Sequence, residues 1–229
     1  MVSLKRVSAG AGKFLLRDIS FDIPSESYCC LMGRTGCGKT TIMETICGLR
    51  QIKSGSISIG GVDVTRFRPA ARGIGFVPQD GALFSTMTVY EQLAFALRIR
   101  RQDKSKIDKR VRSLAQLLGI SHLLDRSSDG LSGGERQCVA LGRALSFYPS
   151  VLCLDEPLSS LDDETRKGMI RLLRTIRREA GVTVLHITHS LVEAQHLGDC
   201  FLYLEDGSIR SIDEGQLGVI QQSQRGAKA

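Results

Sequence analysis

The spacing of apolar residues changes along the chain and predicts three kinds of region. From Val2 to Ile23, apolar and polar residues alternate in short runs, which is typical of strands with one buried face. From Asp80 to Phe147, apolar residues recur at helical spacing, with breaks at Gly119 and at Ser127 to Gly130. From Pro149 onward, apolar strands and helical segments alternate, as they do in α/β proteins. The pattern therefore predicts a β-rich start, a helical middle and an α/β end.

The remaining short elements show either the alternation of strands or the spacing of helices. Further strands are predicted at Ser56 to Ile59 and at Gly73 to Val77, next to turn residues. The alternating segments after Pro149 are Val151 to Leu154, Glu164 to Glu179, Val182 to Ile187, Leu191 to Leu197 and Phe201 to Leu204. The polar residues from Gln216 to Ala229 predict a loosely ordered tail.

A glycine-rich loop, GRTGCGKT from Gly33 to Thr40, separates a short apolar run from a helical pattern. The run Tyr28 to Met32 predicts a buried parallel strand, and the helical spacing continues through Ile42, Met43, Ile46 and Leu49. Because glycine lacks Cβ, the loop backbone can turn its N–H groups around phosphate oxygens at the positive end of the helix. A glycine turn without a ligand is the alternative, and the order strand, loop, helix argues against it.

Each residue of this loop has a predicted part in a nucleotide site. Lys39 adds a charge on the outer phosphates, and the hydroxyl of Thr40 is placed to ligate Mg²⁺. The candidate nucleotide-binding residues of the loop are Gly33, Arg34, Thr35, Gly36, Cys37, Gly38, Lys39, Thr40 and Thr41.

Two adjacent carboxylates follow another apolar run. Val151 to Leu154 predicts a buried strand, and Asp155 and Glu156 stand at its carboxyl end, where open α/β sheets place their ligands. There, Asp155 would hold the metal ion and Glu156 would polarise the water that attacks the γ-phosphorus. The dipeptide alone favours a solvated turn before Pro157, and the upstream glycine loop reverses that preference.

The segment LSGGERQ, from Leu131 to Gln137, has two interpretations. Ser132 and Glu135 have the spacing of a capping box, which predicts an ordinary helix start. The adjacent glycines Gly133 and Gly134 weaken a helix but let an anion approach its backbone. Since the chain has two helix N-termini suited to phosphate and one lysine-bearing loop, we expect the second to face a nucleotide held by another copy.

These motifs, in this order, resemble the nucleotide-binding subunit of ATP-binding cassette (ABC) transporters, from Val2 to about Asp213. The resemblance implies an α/β fold: a P-loop NTPase (RecA-like) core with an N-terminal antiparallel β region and an inserted α-helical subdomain. The implied divisions are one ABC ATPase domain over residues 1–215, with its core at 1–80 and 148–215 and its helical subdomain at 81–147, and a polar tail at 216–229.

The resemblance also assigns roles to residues whose own signals are weak. Gln79 in FVPQD resembles the Q-loop glutamine, which contacts Mg²⁺ and water; alone, it would be a surface turn residue. Asp162 in SSLD resembles the D-loop aspartate, which crosses the dimer interface. His189 in ITHS resembles the switch histidine, which hydrogen-bonds the γ-phosphate; alone, it would be a packed residue at a strand end. The implied catalytic residues are Glu156, His189 and Gln79, and the implied Mg²⁺ ligands are Thr40, Gln79 and Asp155.

The same resemblance implies the partners. Two copies close head to tail around two ATP molecules, and Ser132, Gly133 and Gly134 complete each site across the homodimer. The segment 81–97 receives a helix of a membrane-spanning permease subunit, with Phe84 and Met87 as exposed contacts. The sequence from Arg72 to Arg98, with HLLDR from His122 to Arg126, resembles importers of oxyanions such as molybdate, tungstate or sulfate, with polyamine, ferric iron and sugar importers next. A periplasmic or extracellular solute-binding protein is then part of the full complex.

Other classes stay open. Within the family, the chain could serve an exporter, or be a soluble ABC ATPase acting on nucleic acid or the ribosome; the latter proteins usually carry coiled-coil insertions or tandem cassettes. A P-loop kinase or GTPase would lack the LSGGE, SSLD and ITHS set. Many relatives carry a C-terminal regulatory domain of β-strands, which we do not expect in this chain because of its length.

Charge brings in nucleic acid as a rival partner. The net charge of +7 and the pI near 9.2 suit a binder of polyanions. The basic residues between Arg98 and Arg112 are interrupted by Asp103 and Asp108, and Ile107, Val111, Leu114, Leu117 and Leu118 give the segment one apolar helical face. Because Trp is absent and aromatic residues make up 5%, base stacking has little support. We therefore expect a solvated amphipathic helix and no nucleic acid partner.

The chain lacks any apolar run near the roughly 18 residues of a membrane span, and MVSLKRVSAG lacks the apolar core of a signal peptide. We expect a cytoplasmic protein, peripheral on the inner face of the membrane through its permease. The seven cysteines have no metal-ligand spacing and suit reduced thiols. For Cys37 in the phosphate loop we expect a lowered thiol pKa and protection from alkylation by ATP.

Three positions depart from the family pattern. The aromatic residue that stacks on adenine is missing near Gly10, and Phe14 is the candidate substitute. Cys138 stands where an arginine is common, and Ser190 stands where an aspartate usually follows the histidine. Of the other histidines, we expect His122, His186 and His196 to be structural or exposed.

Overall fold

The computed structural model describes residues 1–11 and 14–218, apart from the side chains of residues 11 and 14. Contacts divide the chain into two compact units: Met1–Arg72 with the segment from Val182 onward, and Gly73–Gly181. In chain order the elements are β1 (Val2–Ala11), β2 (Phe14–Ile23), β3 (Tyr28–Gly33), α1 (Lys39–Cys47), β4 (Ile52–Ile59), β5 (Val62–Asp63), β6 (Ile74–Val77), α2 (Val89–Ile99), α3 (Lys104–Leu117), α4 (Gly133–Leu145), β7 (Val151–Asp155), α5 (Asp163–Ala180), β8 (Thr183–Ile187), α6 (Leu191–Leu197), β9 (Cys200–Glu205) and β10 (Ser208–Ile212). Short 3-10 turns lie at Pro69–Ala71 and Ser121–Leu123.

The first unit begins with an antiparallel sheet in the order β2-β1-β4-β5. In β1, the side chains of Val2, Leu4, Val7 and Ala9 are buried. The alternation of apolar residues is interrupted at Arg6, whose φ of 49° accompanies the first of two shifts in the pairing of β1 with each neighbour. The alternating pattern at the start of the chain therefore forms the predicted antiparallel β region.

The same unit contains a second set of strands, in the order β10-β9-β3-β8. β3 is parallel to both β8 and β9, and all six of its residues are buried, which explains its continuous apolar sequence. Leu31 lies opposite Ile187 in the β3–β8 register. Since parallel strands end at the same edge, the loop after β3 and the residues after β8 leave the sheet together.

The second unit combines two parallel strands, β6 and β7, with four helices. Helix α2 packs on α3 and α4, and α4 packs on β6. Gly75 in β6 allows this approach, because a Cβ there would lie 2.5 Å from the carbonyl oxygen of Ala144. The helical region predicted from Asp80 to Phe147 is confirmed as three α-helices, and Gly119, with φ of 70°, follows the end of α3.

Helix α3 carries much of the basic stretch and is amphipathic, as predicted. Its buried residues are Ile107, Val111, Leu114 and Ala115. On the outer face, Lys106 lies 3.2 Å from Asp103 and Arg112 lies 2.9 Å from Asp108. The interrupting carboxylates therefore pair with neighbouring cations of the same stretch.

The end of the described chain contains structure that periodicity did not predict. β10 pairs antiparallel with β9, and residues 214–218 form a helical turn in which Leu217 is buried. The rest of the predicted tail lies outside the described residues. Among the helices that the structure describes, none has the length and apolar character of a membrane span.

Candidate nucleotide-binding site

The phosphate loop leaves β3 and enters α1 through glycines in left-handed conformations. Gly36 has φ of 79°, and Gly38, the N-cap residue of α1, has φ of 108° with no side-chain cap. A Cβ on Gly33 would lie 2.4 Å from the carbonyl oxygen of Leu204 in β9, so this glycine is also required by packing. No acidic residue lies in the first turn of α1. The backbone at this N-terminus thus keeps the partial positive charge that attracts phosphate.

The side chain of Lys39 folds back over the loop. It is buried, and its Nζ donates hydrogen bonds of 3.0 Å each to the carbonyl oxygens of Gly33 and Arg34. Arg34, Thr35, Gly36 and Thr40 are exposed. The loop therefore presents an oriented ammonium group, backbone donors and a hydroxyl within eight residues, which is a set of groups that fits a triphosphate.

The expected lowering of the Cys37 thiol pKa is wrong, whereas protection of this thiol from alkylation by ATP stays a prediction. Burial raises its pKa above the ordinary value, and this outweighs the lowering by the charge of Lys39 and by backbone N–H groups. The half-buried sulfur lies close to Gly33, where a Cβ would be 3.0 Å from Sγ. The positive groups around the thiol follow from the local sequence, whereas its desolvation depends on the fold.

His189 follows β8 on the edge where the phosphate loop begins. Its side chain is exposed, whereas the preceding residue, Thr188, is buried. Ser190 is the N-cap of α6, and its Oγ accepts a hydrogen bond from the backbone N–H of Glu193 at 3.3 Å. Serine and aspartate cap helices comparably well, so this departure from the family pattern preserves the start of α6.

In the second unit, β7 ends at the two carboxylates. Asp155 is the last strand residue and is buried, unlike a solvated turn residue. Glu156 is half-buried and has φ of 45°, a left-handed conformation that is unusual for a residue with a Cβ. Its carbonyl oxygen accepts hydrogen bonds from the backbone N–H and the hydroxyl of Ser159, at 3.2 and 2.9 Å. Backbone strain of this kind concentrates at functional sites.

The N-terminus of α4 contains the full capping box. The Oγ of Ser132 accepts from the N–H of Glu135 at 3.3 Å, and the Glu135 carboxylate accepts from the N–H of Ser132 at 2.8 Å. That second hydrogen bond lowers the pKa of Glu135. The capping interpretation is therefore confirmed. Ser132 and Gly133 are exposed, so the interpretation as a surface for a second copy stays a prediction.

The two glycines of this segment differ in their surroundings. A Cβ on Gly134 would lie 2.7 Å from Cγ2 of Thr165, whereas a Cβ on Gly133 would make an ordinary contact of 3.7 Å with Leu161. The start of α4 therefore packs against the SSLD segment and the first turn of α5. The structure thus brings two predicted motifs together within the second unit.

Asp162 of the SSLD segment has a local function. It is the N-cap of α5, and its carboxylate accepts hydrogen bonds from the N–H groups of Glu164 and Thr165 and from the Thr165 hydroxyl, at 3.1, 3.0 and 2.6 Å. The bonds to Thr165 are the main cause of its lowered pKa. Its role across a dimer interface stays a prediction.

Gln79 lies in a tight turn after β6. The N–H of Gly81 donates to the carbonyl oxygen of Pro78 at 2.9 Å, and Gln79 inside this turn is exposed. Its exposure agrees with both the surface-turn and the ligand interpretations. Among the described residues there is no cluster of three or more His, Cys, Asp or Glu side chains suited to a metal ion.

A family profile described as "ABC transporter" matches residues 16–159, which is more than half of the chain. The chain belongs to the ABC transporter family. It is 44% identical over 199 residues to the molybdate/tungstate import ATP-binding protein WtpC of Pyrococcus abyssi, covering 87% of this chain and 58% of that protein. The WtpC protein of Archaeoglobus fulgidus is 42% identical, over 98% of this chain and 91% of its own length.

A sugar importer is also similar: the maltose/maltodextrin import ATP-binding protein MalK of Vibrio parahaemolyticus is 37% identical over 92% of this ABC chain and 57% of its own length. The chain thus spans somewhat over half the length of several relatives. A solved structure, the dimeric post-hydrolysis state of the ATP-binding cassette MJ0796 bound to ADP and Pi, superposes with a TM-score of 0.82. It is 26% identical and covers 93% of this chain and 99% of that chain. The predicted family and fold class are therefore confirmed.

The two predicted docking residues of the segment 81–97 differ in exposure. Phe84 is 42% exposed, whereas Met87 is half-buried. The carbonyl oxygen of Phe84 accepts hydrogen bonds from Gln92 Nε2 at 2.7 Å and from Ser128 Oγ at 3.0 Å, and the guanidinium of Arg143 lies over the Phe84 ring. These three supporting residues carry no sequence signal, since each lies on a different segment and none belongs to a motif.

The remaining expectations have mixed outcomes. His122 and His196 are exposed and His186 is buried, as predicted. Cys138 is half-buried in α4, and burial raises its pKa to about 11. The side chain of Phe14, the candidate for adenine stacking, lies outside the described residues.

Proposed function

We propose that this chain is the ATP-hydrolysing subunit of a membrane ABC transporter, a solute importer, in which ATP-driven closure of two copies powers transport. The observation that carries the proposal is the glycine-built N-terminus of α1, which has no side-chain cap, together with the buried Lys39. The similarity to cassettes named for ATP-binding in import, and to a dimeric cassette with ADP and Pi, supports it.

In this proposal, the loop from Gly33 to Thr41 binds the phosphates of ATP through backbone N–H groups and Lys39. Thr40, Gln79 and Asp155 supply hydroxyl, amide and carboxylate oxygens, which are the ligand types that Mg²⁺ prefers. When bound, Mg²⁺ supplies positive charge to the phosphate oxygens. Because few protein ligands are needed when phosphates and water complete the coordination, this donor set fits the ion.

Two further side chains would act on the reacting groups. Glu156 would accept a proton from the attacking water; positioned general bases contribute about 100- to 10,000-fold in rate. The exposed imidazole of His189 would donate a hydrogen bond to the γ-phosphate as negative charge develops. Ser132, Gly133, Gly134 and Asp162 would complete the site of a second copy.

Substitution of Glu156 by Gln tests the assignment. The Glu156→Gln variant should bind ATP with the affinity of the wild type, hydrolyse it at least about 100 times more slowly, and accumulate as an ATP-bound dimer in light scattering. Glu179→Gln, which neutralises an exposed carboxylate at the end of α5, is the matched control. Rapid turnover by Glu156→Gln, or a dimer that forms equally well without ATP, would contradict the proposal.

We place the protein at the inner face of the membrane through permease subunits that contact residues 81–97, with a solute-binding protein in the full complex. The exposed Phe84, supported by Gln92 and Ser128, is the proposed anchor. Phe84→Glu should abolish co-purification with the permease and leave ATP binding by the isolated chain intact. Co-purification of Phe84→Glu with the permease at the wild-type level would contradict the docking assignment.

The proposed solute is a tetrahedral oxyanion of the molybdate or tungstate type. The support is the identity to two proteins named for molybdate/tungstate import, which exceeds that to a maltose import protein. Cells lacking the chain should lose high-affinity tungstate uptake and retain sugar uptake. The opposite pattern would exclude the oxyanion assignment.

A further inference from the structure

A buried polar cluster in the first unit includes Thr188, the residue before His189. Glu193, in the first turn of α6, is buried, and its Oε2 accepts a hydrogen bond of 2.5 Å from the hydroxyl of Thr188. The imidazole of His186, which is fully buried, places Nε2 3.6 Å from the same oxygen. Burying a carboxylate is costly unless polar partners surround it, and the Thr188 hydroxyl is such a partner here.

His186 is a neutral partner in this cluster. Burial lowers its pKa to about 3, so the ring is uncharged at physiological pH and forms no ion pair with Glu193. Its Nδ1 lies 2.9 Å from the hydroxyl of Tyr28, and the two rings meet edge to face. If the tyrosine hydroxyl donates to Nδ1, then Nε2 carries the proton and its N–H dipole favours the nearby carboxylate. The cluster thus connects α6 to β8 and to the start of β3.

Hydrogen bonds from this cluster fix the backbone on both sides of His189. The N–H of Thr188 donates to the carbonyl oxygen of Leu31 in β3 at 3.3 Å, which fixes the position before the histidine. The N–H of Ser190 donates to Oγ1 of Thr188 at 3.0 Å, so a side-chain turn spans His189. The exposed imidazole is therefore carried on a backbone that is tied at both neighbours, while Thr188 Oγ1 is itself oriented by Glu193.

We infer that Glu193 is a positioning residue for His189: through the Thr188 hydroxyl it fixes the turn that aims the imidazole toward the reacting phosphate. This inference rests on the proposed function, since it assumes that His189 acts on the nucleotide. Glu193 touches neither nucleotide nor water in this mechanism. Its effect is on geometry, and small errors of geometry cost on the order of 100-fold in rate.

The test compares substitutions that remove the hydrogen bond with substitutions that keep it. Glu193→Leu and Thr188→Val remove one partner each at similar volume. Glu193→Gln keeps an acceptor oxygen, and Thr188→Ser keeps the hydroxyl. We expect the first pair to lower kcat for ATP hydrolysis roughly 10- to 100-fold with the Kd for ATP unchanged within about twofold, and the second pair to restore most of the rate. Thermal unfolding identifies any variant that is poorly folded, and Thr188→Val carries the test if Glu193→Leu fails to fold.

A double-mutant cycle separates positioning from general stabilisation. If Glu193 acts through His189, then adding Thr188→Val or Glu193→Leu to His189→Ala should lower kcat little further. Wild-type rates in Thr188→Val and folded Glu193→Leu, or losses that multiply fully with that of His189→Ala, would overturn the inference while leaving the proposed function standing. A wild-type rate in His189→Ala would instead reject the assigned role of His189, and the inference with it.

Discussion

Two helices of this protein begin at glycine-rich segments, and their N-termini are built in different ways. Helix α1 begins at Gly38 in a left-handed conformation, without a side-chain cap and without an acidic residue in its first turn. Helix α4 begins at Ser132 with a reciprocal capping box to Glu135. The N-terminus of α1 offers backbone N–H groups and Lys39 to a ligand. At the N-terminus of α4, the side chains of Ser132 and Glu135 accept hydrogen bonds from backbone N–H groups.

This difference indicates what each N-terminus needs from a ligand. The N-cap residue of α1, Gly38, supplies no side-chain cap, and Nζ of Lys39 donates to the carbonyl oxygens of Gly33 and Arg34, so a phosphate would be a charged acceptor for both the backbone donors and the ammonium. At the start of α4, the N–H groups of Ser132 and Glu135 are already satisfied by the capping box, so this N-terminus needs a ligand less. We therefore expect α1 to provide most of the affinity for ATP and α4 to provide a surface that discriminates the closed dimer from the monomer.

The largest effect should come from removing the lysine charge. Lys39→Met keeps most of the apolar stem, and it should weaken ATP binding about 10- to 100-fold, since hydrogen bonds between charged groups contribute about 1.5–3 kcal/mol. Titration with a fluorescent ATP analogue measures this, and Lys109→Met on the exposed side of α3 is the control. Binding by Lys39→Met within twofold of the wild type would remove the contrast between the two N-termini.

A smaller effect should separate the two glycines of α4. Gly134→Ala forces a Cβ to 2.7 Å from Thr165 Cγ2, and overpacking of this kind costs about 1–3 kcal/mol, partly offset by the helix propensity of alanine. Gly133→Ala meets only an ordinary contact and should leave the free energy of unfolding nearly unchanged. Urea denaturation measures both variants.

Thr165→Ser removes the methyl group that clashes and provides the matched rescue. It should restore the stability of Gly134→Ala, because the added Cβ then has room. If the start of α4 contacts a nucleotide across the dimer, ATP hydrolysis should be slow in Gly133→Ala. It should also stay slow in Gly134→Ala when Thr165→Ser restores the stability of that variant. A Gly134→Ala protein as stable as the wild type would contradict the packing role of Gly134. Full hydrolysis by Gly133→Ala would contradict a contact between the start of α4 and the nucleotide.

The smallest effect should come from the capping box and should depend on pH. Ser132→Ala should cost about 1 kcal/mol at neutral pH, and Thr88→Ala should cost about as much in the matching box of α2. The pKa of Glu135 is lowered in the folded state, so its stabilisation is complete above the unfolded carboxyl pKa of about 4.3 and is lost as the pH falls through the folded pKa.

Glu135→Gln tests the sign of this pH dependence. The difference in unfolding free energy between wild type and Glu135→Gln should be present at neutral pH and should shrink as the pH is lowered below the ordinary carboxyl pKa. A difference that grows toward acid pH would show that the carboxylate is not stabilised by the Ser132 N–H.

The conformations of the glycine-rich loop and of the start of α4 could be predicted because their motifs are local. The glycines and Lys39 lie within one loop, and the strands on either side follow from continuous apolar runs. The capping box of α4 could also be predicted, since Ser132 and Glu135 are three residues apart in the sequence. The pKa of Cys37 was predicted in the wrong direction, because burial depends on chain segments remote from the loop.

The sequence by itself determined the order of most elements, the glycine-rich loop and the family, since each depends on residue types at short spacing. Only the tertiary structure decided that Thr165 requires Gly134, that β9 requires Gly33, and that Glu193 accepts a hydrogen bond from Thr188, the residue before His189. The first two contacts join segments that are distant in the chain. The third depends on how α6 turns back toward the end of β8. A single sequence contains no record of such distances, because packing free energy depends on where folded elements meet rather than on their order.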